Sequence, residues 1–147
     1  MRGKNPAAFD LELLNPYQGI DASQNERHNI RNISGQPPRR GIWVDAIYDI
    51  GRIENVHFNP WWNSHNKAYQ WQTANGEAFI FGRADWEYVL NTFCFGYHVG
   101  YKFVETATGV QRKFSRNRSG PAPDASASTV TARAPAQVVV RTVIVRL

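Results

Sequence analysis

The chain has 147 residues, which suits one domain with a modest core. Its single cysteine excludes an intrachain disulfide. The formal charge of +5 is unevenly spread, because residues 1–109 carry 10 basic and 11 acidic side chains, whereas residues 110–147 carry 7 basic and 1 acidic. This distribution argues against a nucleic-acid partner. The sequence also contains no apolar stretch long enough to span a membrane and no signal-peptide pattern.

Short strands are predicted along the first part of the chain, as far as Phe58. Alternation of apolar and polar side chains, or runs of β-branched residues, indicates strands at residues 9–13, 19–22, 28–34, 41–46 and 50–58. Polar residues 23–27 separate the second and third predicted strands. Pro37 and Pro38 lack an amide hydrogen, so residues 37–40 are predicted to form a corner.

One short pattern occurs three times, around Asn32, Asn55 and Asn91. The spacings are 23 and 36 residues, and the second equals the first plus an insert of 13. A repeat of this length with strand-type residues predicts an all-β fold, a short parallel β-helix (solenoid) with coils of about 23 residues. Stacking would align the three asparagines at one bend, because asparagine tolerates left-handed backbone angles.

An aromatic insert, residues 59–75, interrupts the repeat and is predicted to be a loop. Its candidate binding residues are the four rings and one histidine of Trp61, Trp62, His65, Tyr69 and Trp71. Aromatic rings stack on the apolar faces of sugars, while amides and imidazole bond hydroxyl groups. The alternative is that these rings fold back as a plug over the core.

Residues 46–58, AIYDIGRIENVHF, and residues 76–89, GEAFIFGRADWEYV, resemble bacterial proteins of the pectate-lyase superfamily, often labelled polygalacturonase-related or glycoside hydrolase family 28-related. The resemblance covers about residues 15–109. It implies a right-handed parallel β-helix, a polysaccharide partner and an extracellular (secreted) location. It does not carry over the polygalacturonase catalytic signatures, since Asn-Thr-Asp, adjacent Asp-Asp and His-Gly are absent from the chain.

Glycoside hydrolysis needs two carboxyl groups. Asp49 and Asp85 each lie six residues before a repeat asparagine, so adjacent coils would place them about 4.8 Å apart along the stack. Repulsion between them would leave one acid and one base, with Arg83 placed to neutralise one. Glu54 and Glu87 are secondary candidates, and His57 and His65 are candidate proton carriers or sugar ligands. The alternative is that both aspartates hold turns.

Two functions are therefore expected from the sequence. The first is a glycoside hydrolase or polysaccharide lyase with Asp49, Asp85 and Arg83 as catalytic residues. The second is a non-catalytic carbohydrate-binding or self-assembling structural β-helix. No metal or other cofactor is expected, except calcium in the lyase case, and no spacing resembles a zinc site. Cys94 is predicted to be a buried, inert thiol.

The tail, residues 110–147, is expected to be separate from the β-helix fragment of residues 1–109. It is basic and linker-like, with a strand predicted at residues 137–147. Codons can be chosen for residues 110–120 that, shifted by one nucleotide, continue the coil pattern, so we interpret the tail as a frameshift product of a truncated chain. Open solenoid ends also predict homo-oligomers.

Overall fold

The computed structural model describes residues 1–63 and 65–108, and the backbone of residues 138–145. Most of this part of the chain is β-strand, with one helix among the described residues. The elements are β1 (Gly3–Lys4), β2 (Ala7–Leu13), β3 (Gln18–Glu26), β4 (Asn29–Gly35), β5 (Arg40–Phe58), α1 (Asn66–Asn75), β6 (Glu77–Phe81), β7 (Ala84–Cys94), β8 (Val99–Phe103) and β9 (Val138–Val145). The predicted all-β class is confirmed.

The nine strands of the described residues form one sheet. Strands β1 to β8 pair in parallel, and β9 pairs antiparallel with β7. Ala7 pairs with Asn29, and Asn29 pairs with Arg52, so each strand lies one repeat further along the chain than its neighbour. A larger step follows where Arg52 pairs with Tyr88, because the insert lies between these strands. The repeat length and the position of the insert are therefore confirmed.

Side chains on one side of the sheet form the core. Aliphatic residues of successive strands, such as Ile30, Ile53 and Val89, lie in register and are buried. Aromatic rings continue the stack, with 4.9 Å between the ring centroids of Phe79 and Tyr101. Burial of such residues is the main stabilising contribution available to the fold. Within this core, Cys94 is buried as predicted, and burial raises the pKa of its thiol to about 12.

The three repeat asparagines lie above one another at one bend, as predicted. The Asn91 side-chain amide donates to Oδ1 of Asn55 at 2.6 Å, and the Asn55 amide donates to Oδ1 of Asn32 at 3.1 Å. Asn32 in turn donates to Oδ1 of Asp10 at 2.7 Å, so the ladder has a fourth member. All four residues have positive φ, between 48° and 56°. The side-chain ladder thus bonds residues in a backbone conformation that most side chains avoid.

We expect Asn55→Ala to lower the free energy of unfolding by about 2–3 kcal/mol. The substitution removes two hydrogen bonds of the ladder, and it places alanine in the left-handed backbone conformation, at φ 53°, without a side-chain hydrogen bond to offset the strain. Asn55→Gly removes the same bonds without the backbone strain, so its cost should be smaller by about 1 kcal/mol. Urea unfolding of both variants measures the difference. Equal losses would show that the left-handed backbone contributes nothing.

Two predicted boundaries were wrong. The polar residues 23–27, predicted to separate two strands, belong largely to β3, which continues to Glu26. The strands predicted at residues 41–46 and 50–58 form a single strand, β5, with a register shift between Ile47 and Ile50. In both places, left-handed residues, Gln24 and Ala46, bend the strand without ending its pairing. The two predicted interruptions therefore correspond to bends within strands.

The insert is not simply a loop, since α1 occupies ten of its residues. Gln72 faces the protein and is buried. The polar residues around it obscure helical periodicity in the sequence, because tertiary contacts rather than an apolar stripe hold this helix.

The predicted terminal strand is present as β9 within residues 137–147. The predicted linker lies outside the described residues, and the division at residue 109 stays a prediction. Among the described helices, none is long and apolar enough to cross a membrane.

Candidate functional site

Asp49 and Asp85 lie beside each other at the register shift of β5. Ile47 pairs with Ala84, whereas Ile50 pairs with Trp86, so two residues of β5 oppose the single residue Asp85. These two are Tyr48 and Asp49. The shift is a β-bulge, a feature that reorients side chains in a sheet. The sequence therefore placed the two carboxylates correctly on neighbouring strands.

Each of these carboxylates faces an arginine. Arg27 Nη1 lies 3.0 Å from Asp49 Oδ2, and Arg83 Nε lies 3.7 Å from Asp85 Oδ1. The aspartate side chains are 39% and 26% exposed, so solvent reaches both. The predicted proximity of Arg83 to one aspartate is confirmed. An aspartate paired with an arginine suits a structural contact at a turn or a ligand contact as well as catalysis.

Exposed aromatic side chains flank this pair. Tyr48 is 54% exposed, and the Arg83 guanidinium lies 4.7 Å from the centre of its ring. Trp86, on the other side of Asp85 along β7, is 38% exposed. Sequence reasoning missed both rings, although each directly adjoins a candidate aspartate. We call Tyr48, Asp49, Arg83, Asp85 and Trp86 the carboxylate surface.

A second exposed surface lies at the end of β5. Trp61, in the insert, is 70% exposed, and its ring centroid lies 6.0 Å from that of His57. His57 makes an edge contact with Phe93 of the adjoining strand, with 4.6 Å between centroids. The three rings therefore adjoin one another from the insert across β5 to β7. We call His57, Trp61 and Phe93 the aromatic surface.

Trp62 has a different environment from its neighbour. Its indole Nε1 donates to Glu12 Oε1 at 2.8 Å, which ties the insert to β2. Glu12 was not singled out in the sequence, and its position in a short alternating strand contained no signal for this contact.

The remaining predicted binding residues lie on or before α1. His65 is the N-cap, and its Nδ1 accepts a hydrogen bond from the Lys67 amide at 3.3 Å. Tyr69 lies so close to Gly96 that a Cβ there would be 2.9 Å from the Tyr69 ring. Trp71 contacts Tyr17, with 5.8 Å between ring centroids. The predicted residues are therefore distributed over several environments of the insert.

A buried glutamine positions the insert. Gln36 Oε1 accepts from the Asn63 amide at 2.6 Å, and Gln36 Nε2 donates to Gln72 Oε1 at 2.9 Å. Gln36 and Gln72 are both almost completely buried. Because buried amides are costly to leave unbonded, this contact fixes both the start of the insert and the helix that follows it.

A buried ionisable pair lies in the core. His28 Nε2 is 2.9 Å from Glu87 Oε1, and neither side chain is exposed. Burial raises the pKa of Glu87, while the hydrogen bond and charge of His28 act in the opposite direction without cancelling it. Glu87, a secondary catalytic candidate from the sequence, is therefore closed to solvent in this structure. Its role is in the core.

Gly51 makes this pair geometrically feasible. It is in register with Glu87, and the Arg52 amide next to it bonds the His28 carbonyl, so Gly51 lies in the strand between the two side chains. A Cβ at this position would be 2.1 Å from Glu87 Oε2 and 2.5 Å from His28 Cε1. The missing side chain provides the space through which His28 and Glu87 meet.

Within the described residues, no group of three or more histidine, cysteine or acidic side chains could hold a metal ion. Comparison with protein-family models, curated proteins and solved structures found no match for this chain. A functional interpretation of the carboxylate surface and the aromatic surface therefore rests on their geometry alone.

Proposed function

We propose that the chain is a short right-handed parallel β-helix related to the pectate-lyase superfamily, and that it binds polysaccharide through the aromatic surface. The fold part is supported by the regular parallel register, in which Ala7, Asn29 and Arg52 follow one another across the sheet. The binding part is supported by one observation above all, which is that Trp61 is 70% exposed beside His57 and Phe93. A large ring left in solvent next to other rings is typical of a ligand-binding surface.

A polysaccharide fits this surface because its sugar rings have apolar faces that stack on indole and phenyl rings. His57 supplies a polar group between the two carbon-rich rings. Glu12 holds Trp62 in place next to Trp61, so the insert is tethered before a ligand arrives. The proposal includes an extracellular location, where glycans are abundant.

We expect Trp61→Ala to weaken polysaccharide binding by about 1–3 kcal/mol, since a stacked ring is lost. Isothermal titration with a panel of plant and bacterial polysaccharides measures the change. Leu14→Ala is the matched control, because Leu14 is 61% exposed but has no aromatic ring. Equal affinities for the wild type and Trp61→Ala would contradict this surface as the binding site.

The second candidate is catalysis at the carboxylate surface, as a glycoside hydrolase or lyase. The observation in its favour is that Asp85 opposes the bulge containing Asp49, with Tyr48 and Trp86 exposed on either side. Retaining and inverting hydrolases both need two carboxyl groups close together. A lyase would instead use an arginine as base, for which Arg83 is placed beside Asp85, with calcium as the ion that would bind an acidic substrate.

In the catalytic case, Asp85→Asn should reduce turnover at least about a hundredfold while leaving binding intact, because the amide keeps the shape but cannot exchange the proton. Reducing sugar and unsaturated product are both measured, with and without added calcium. An Asp85→Asn protein as active as the wild type would remove catalysis at this surface. Binding lost only in Trp61→Ala, with no product from either protein, would favour the non-catalytic function.

A further inference from the structure

Two columns of parallel strands run through the sheet. The first contains β3, the first half of β5, β6 and β8, and the second contains β2, β4, the second half of β5 and β7. The residues in register are Gln18, Arg40, Glu77 and Val99 in the first column, and Ala7, Asn29, Arg52 and Tyr88 in the second. Gln18 and Val99 are separated by the same length of chain as Ala7 and Tyr88.

Because these two separations in the chain are equal, one second copy could extend both columns of strands at the same time. If Gln18 of a second copy paired with Val99 of the first, Ala7 of the second copy would also pair with Tyr88 of the first, without any change of register. Within the described part of the chain, β8 pairs only with β6 and β2 only with β4, so each presents an outer backbone edge. Such edges are templates for pairing with another chain.

We propose that this chain stacks head to tail with a second copy of itself, β2 and β3 of one copy pairing with β7 and β8 of the other, and that β9 is a removable cap on this interface. The proposal rests on strand register and does not depend on glycan binding. Because the contact joins two different surfaces, it is heterologous and leads to open filaments rather than closed dimers.

Side chains at the two ends of the first column are complementary. In the proposed register, Asp21 of one copy lies opposite Lys102 of the other, which pairs opposite charges. Ala22, a small residue, lies opposite Phe103, and Ile20 lies opposite Tyr101. Opposite charges stabilise cross-strand pairs, and small residues facing large ones allow neighbouring layers to interdigitate. In the second column, Leu11, which is 44% exposed, would be covered by the strand carrying Thr92.

The last strand opposes this assembly. β9 pairs antiparallel with β7 from Glu87 to Cys94, which is the edge that β2 of a second copy would need. At the other end of the molecule, the Met1 amino group donates to the Asp21 carbonyl on the edge of β3. Strand β1 also lies on this edge, with Gly3 in register with Asn25 and Lys4 in register with Glu26. Stacking therefore requires β9 to leave β7, and Met1 and β1 to move from the edge of β3. We expect the wild type to associate weakly for this reason.

Asp10 opposes stacking by its chemistry. The ladder amides donate toward the start of the chain, from Asn91 to Asn55 to Asn32 to Asp10. In the stack, Asp10 of the second copy would face Asn91, whose outward group is the carbonyl oxygen. An ionised carboxylate has no hydrogen to donate, so two acceptors would face each other. An asparagine at position 10 would instead continue the ladder.

The test compares full-length variants by sedimentation velocity over a wide range of protein concentration. Val140→Pro with Val143→Pro removes two amides from β9, and Val140→Ile with Val143→Ile is the matched control that keeps them. The proline variant is expected to form species that grow with concentration, whereas the isoleucine variant should behave as the wild type. Adding Asp21→Lys should suppress growth, and Asp21→Asn should suppress it less.

Asp10→Asn in the otherwise natural chain is a second test that leaves β9 intact. It should raise the association constant about tenfold, the factor that corresponds to about 1.4 kcal/mol, since a repulsive contact becomes a hydrogen bond. A folded proline variant that stays monomeric, a closed dimer, or growth indifferent to Asp21→Lys would overturn the proposal. Should the proline variant unfold, unchanged association of Asp10→Asn would overturn it instead.

Discussion

Gly51→Ala should be among the most destabilising single substitutions in this protein, with an expected loss of about 3–5 kcal/mol in the free energy of unfolding. The added Cβ would lie 2.1 Å from Glu87 Oε2 and 2.5 Å from His28 Cε1, so the buried pair must separate. Overpacking alone costs about 1–3 kcal/mol. Separating a buried hydrogen-bonded pair adds the cost of desolvated groups without partners. Thermal and urea unfolding measure the loss.

A double-mutant cycle tests the cause of this effect. In a Glu87→Ala background the nearest clashing atom is gone, so Gly51→Ala should cost much less than in the wild type. Gly100→Ala is the control for adding a methyl group to a buried strand, because its Cβ would meet a single side-chain atom, Cys94 Sγ, at 3.0 Å. Additive effects of Gly51→Ala and Glu87→Ala would show that the two positions do not interact.

The second large effect is the loss of the carboxyl group of Glu87. At neutral pH, Glu87→Ala should cost about 3–5 kcal/mol, since it leaves a cavity and an unpaired His28 in the core. Glu87→Gln has nearly the same shape and can still bond His28, so its cost should stay within about 1 kcal/mol. Urea unfolding at neutral pH separates the two variants.

The hydrogen-bond network explains the difference. Asn25 Nδ2 donates to the Ala22 and Met1 carbonyls, so the atom facing His28 Nδ1 is the acceptor Oδ1. His28 Nδ1 therefore carries a hydrogen. Between His28 Nε2 and Glu87 Oε1, one further proton is needed for a bond at 2.9 Å. Glutamine supplies such a hydrogen from its own amide at every pH, and alanine does not.

The free energies of unfolding of the wild type and of Glu87→Gln should also diverge with pH. Burial raises the pKa of Glu87 above its usual 4.5 in the folded state. A raised folded pKa contributes stability that is complete below 4.5 and is lost as the pH rises through the folded value. Glu87→Gln lacks this loss, so its stability relative to the wild type should increase as the pH rises from 4.5. A difference between the two proteins that is constant with pH would contradict a titrating Glu87.

The catalytic roles predicted for Asp49, Asp85 and Arg83 remain predictions. Asp49, Asp85 and Arg83 lie together, but each aspartate has an arginine beside it. Of the aromatic residues of the insert, Trp61 is largely exposed, whereas Trp62 is hydrogen-bonded to Glu12 and Trp71 contacts Tyr17. Composition pointed to the insert as a whole, and the fold distributed its rings among different environments.

By itself, the sequence determined the strand register. The spacing of Asn32, Asn55 and Asn91 was enough to align three strands, because a left-handed bend recurs at the same place in each repeat and asparagine is suited to it. The same register placed Asp49 beside Asp85. Local conformational preference and fixed spacing are properties of the chain alone, so they could be read without coordinates.

Only the tertiary structure decided what surrounds each side chain. Glu87 and Asp85 are two residues apart on one strand, yet Glu87 is buried with His28, 59 positions away, while Asp85 lies beside Arg83 at the surface. The helix α1 and the contact of Gln36 with Gln72 likewise depend on residues distant in the chain. Burial and partner choice arise from packing between strands, and local sequence preference does not encode them.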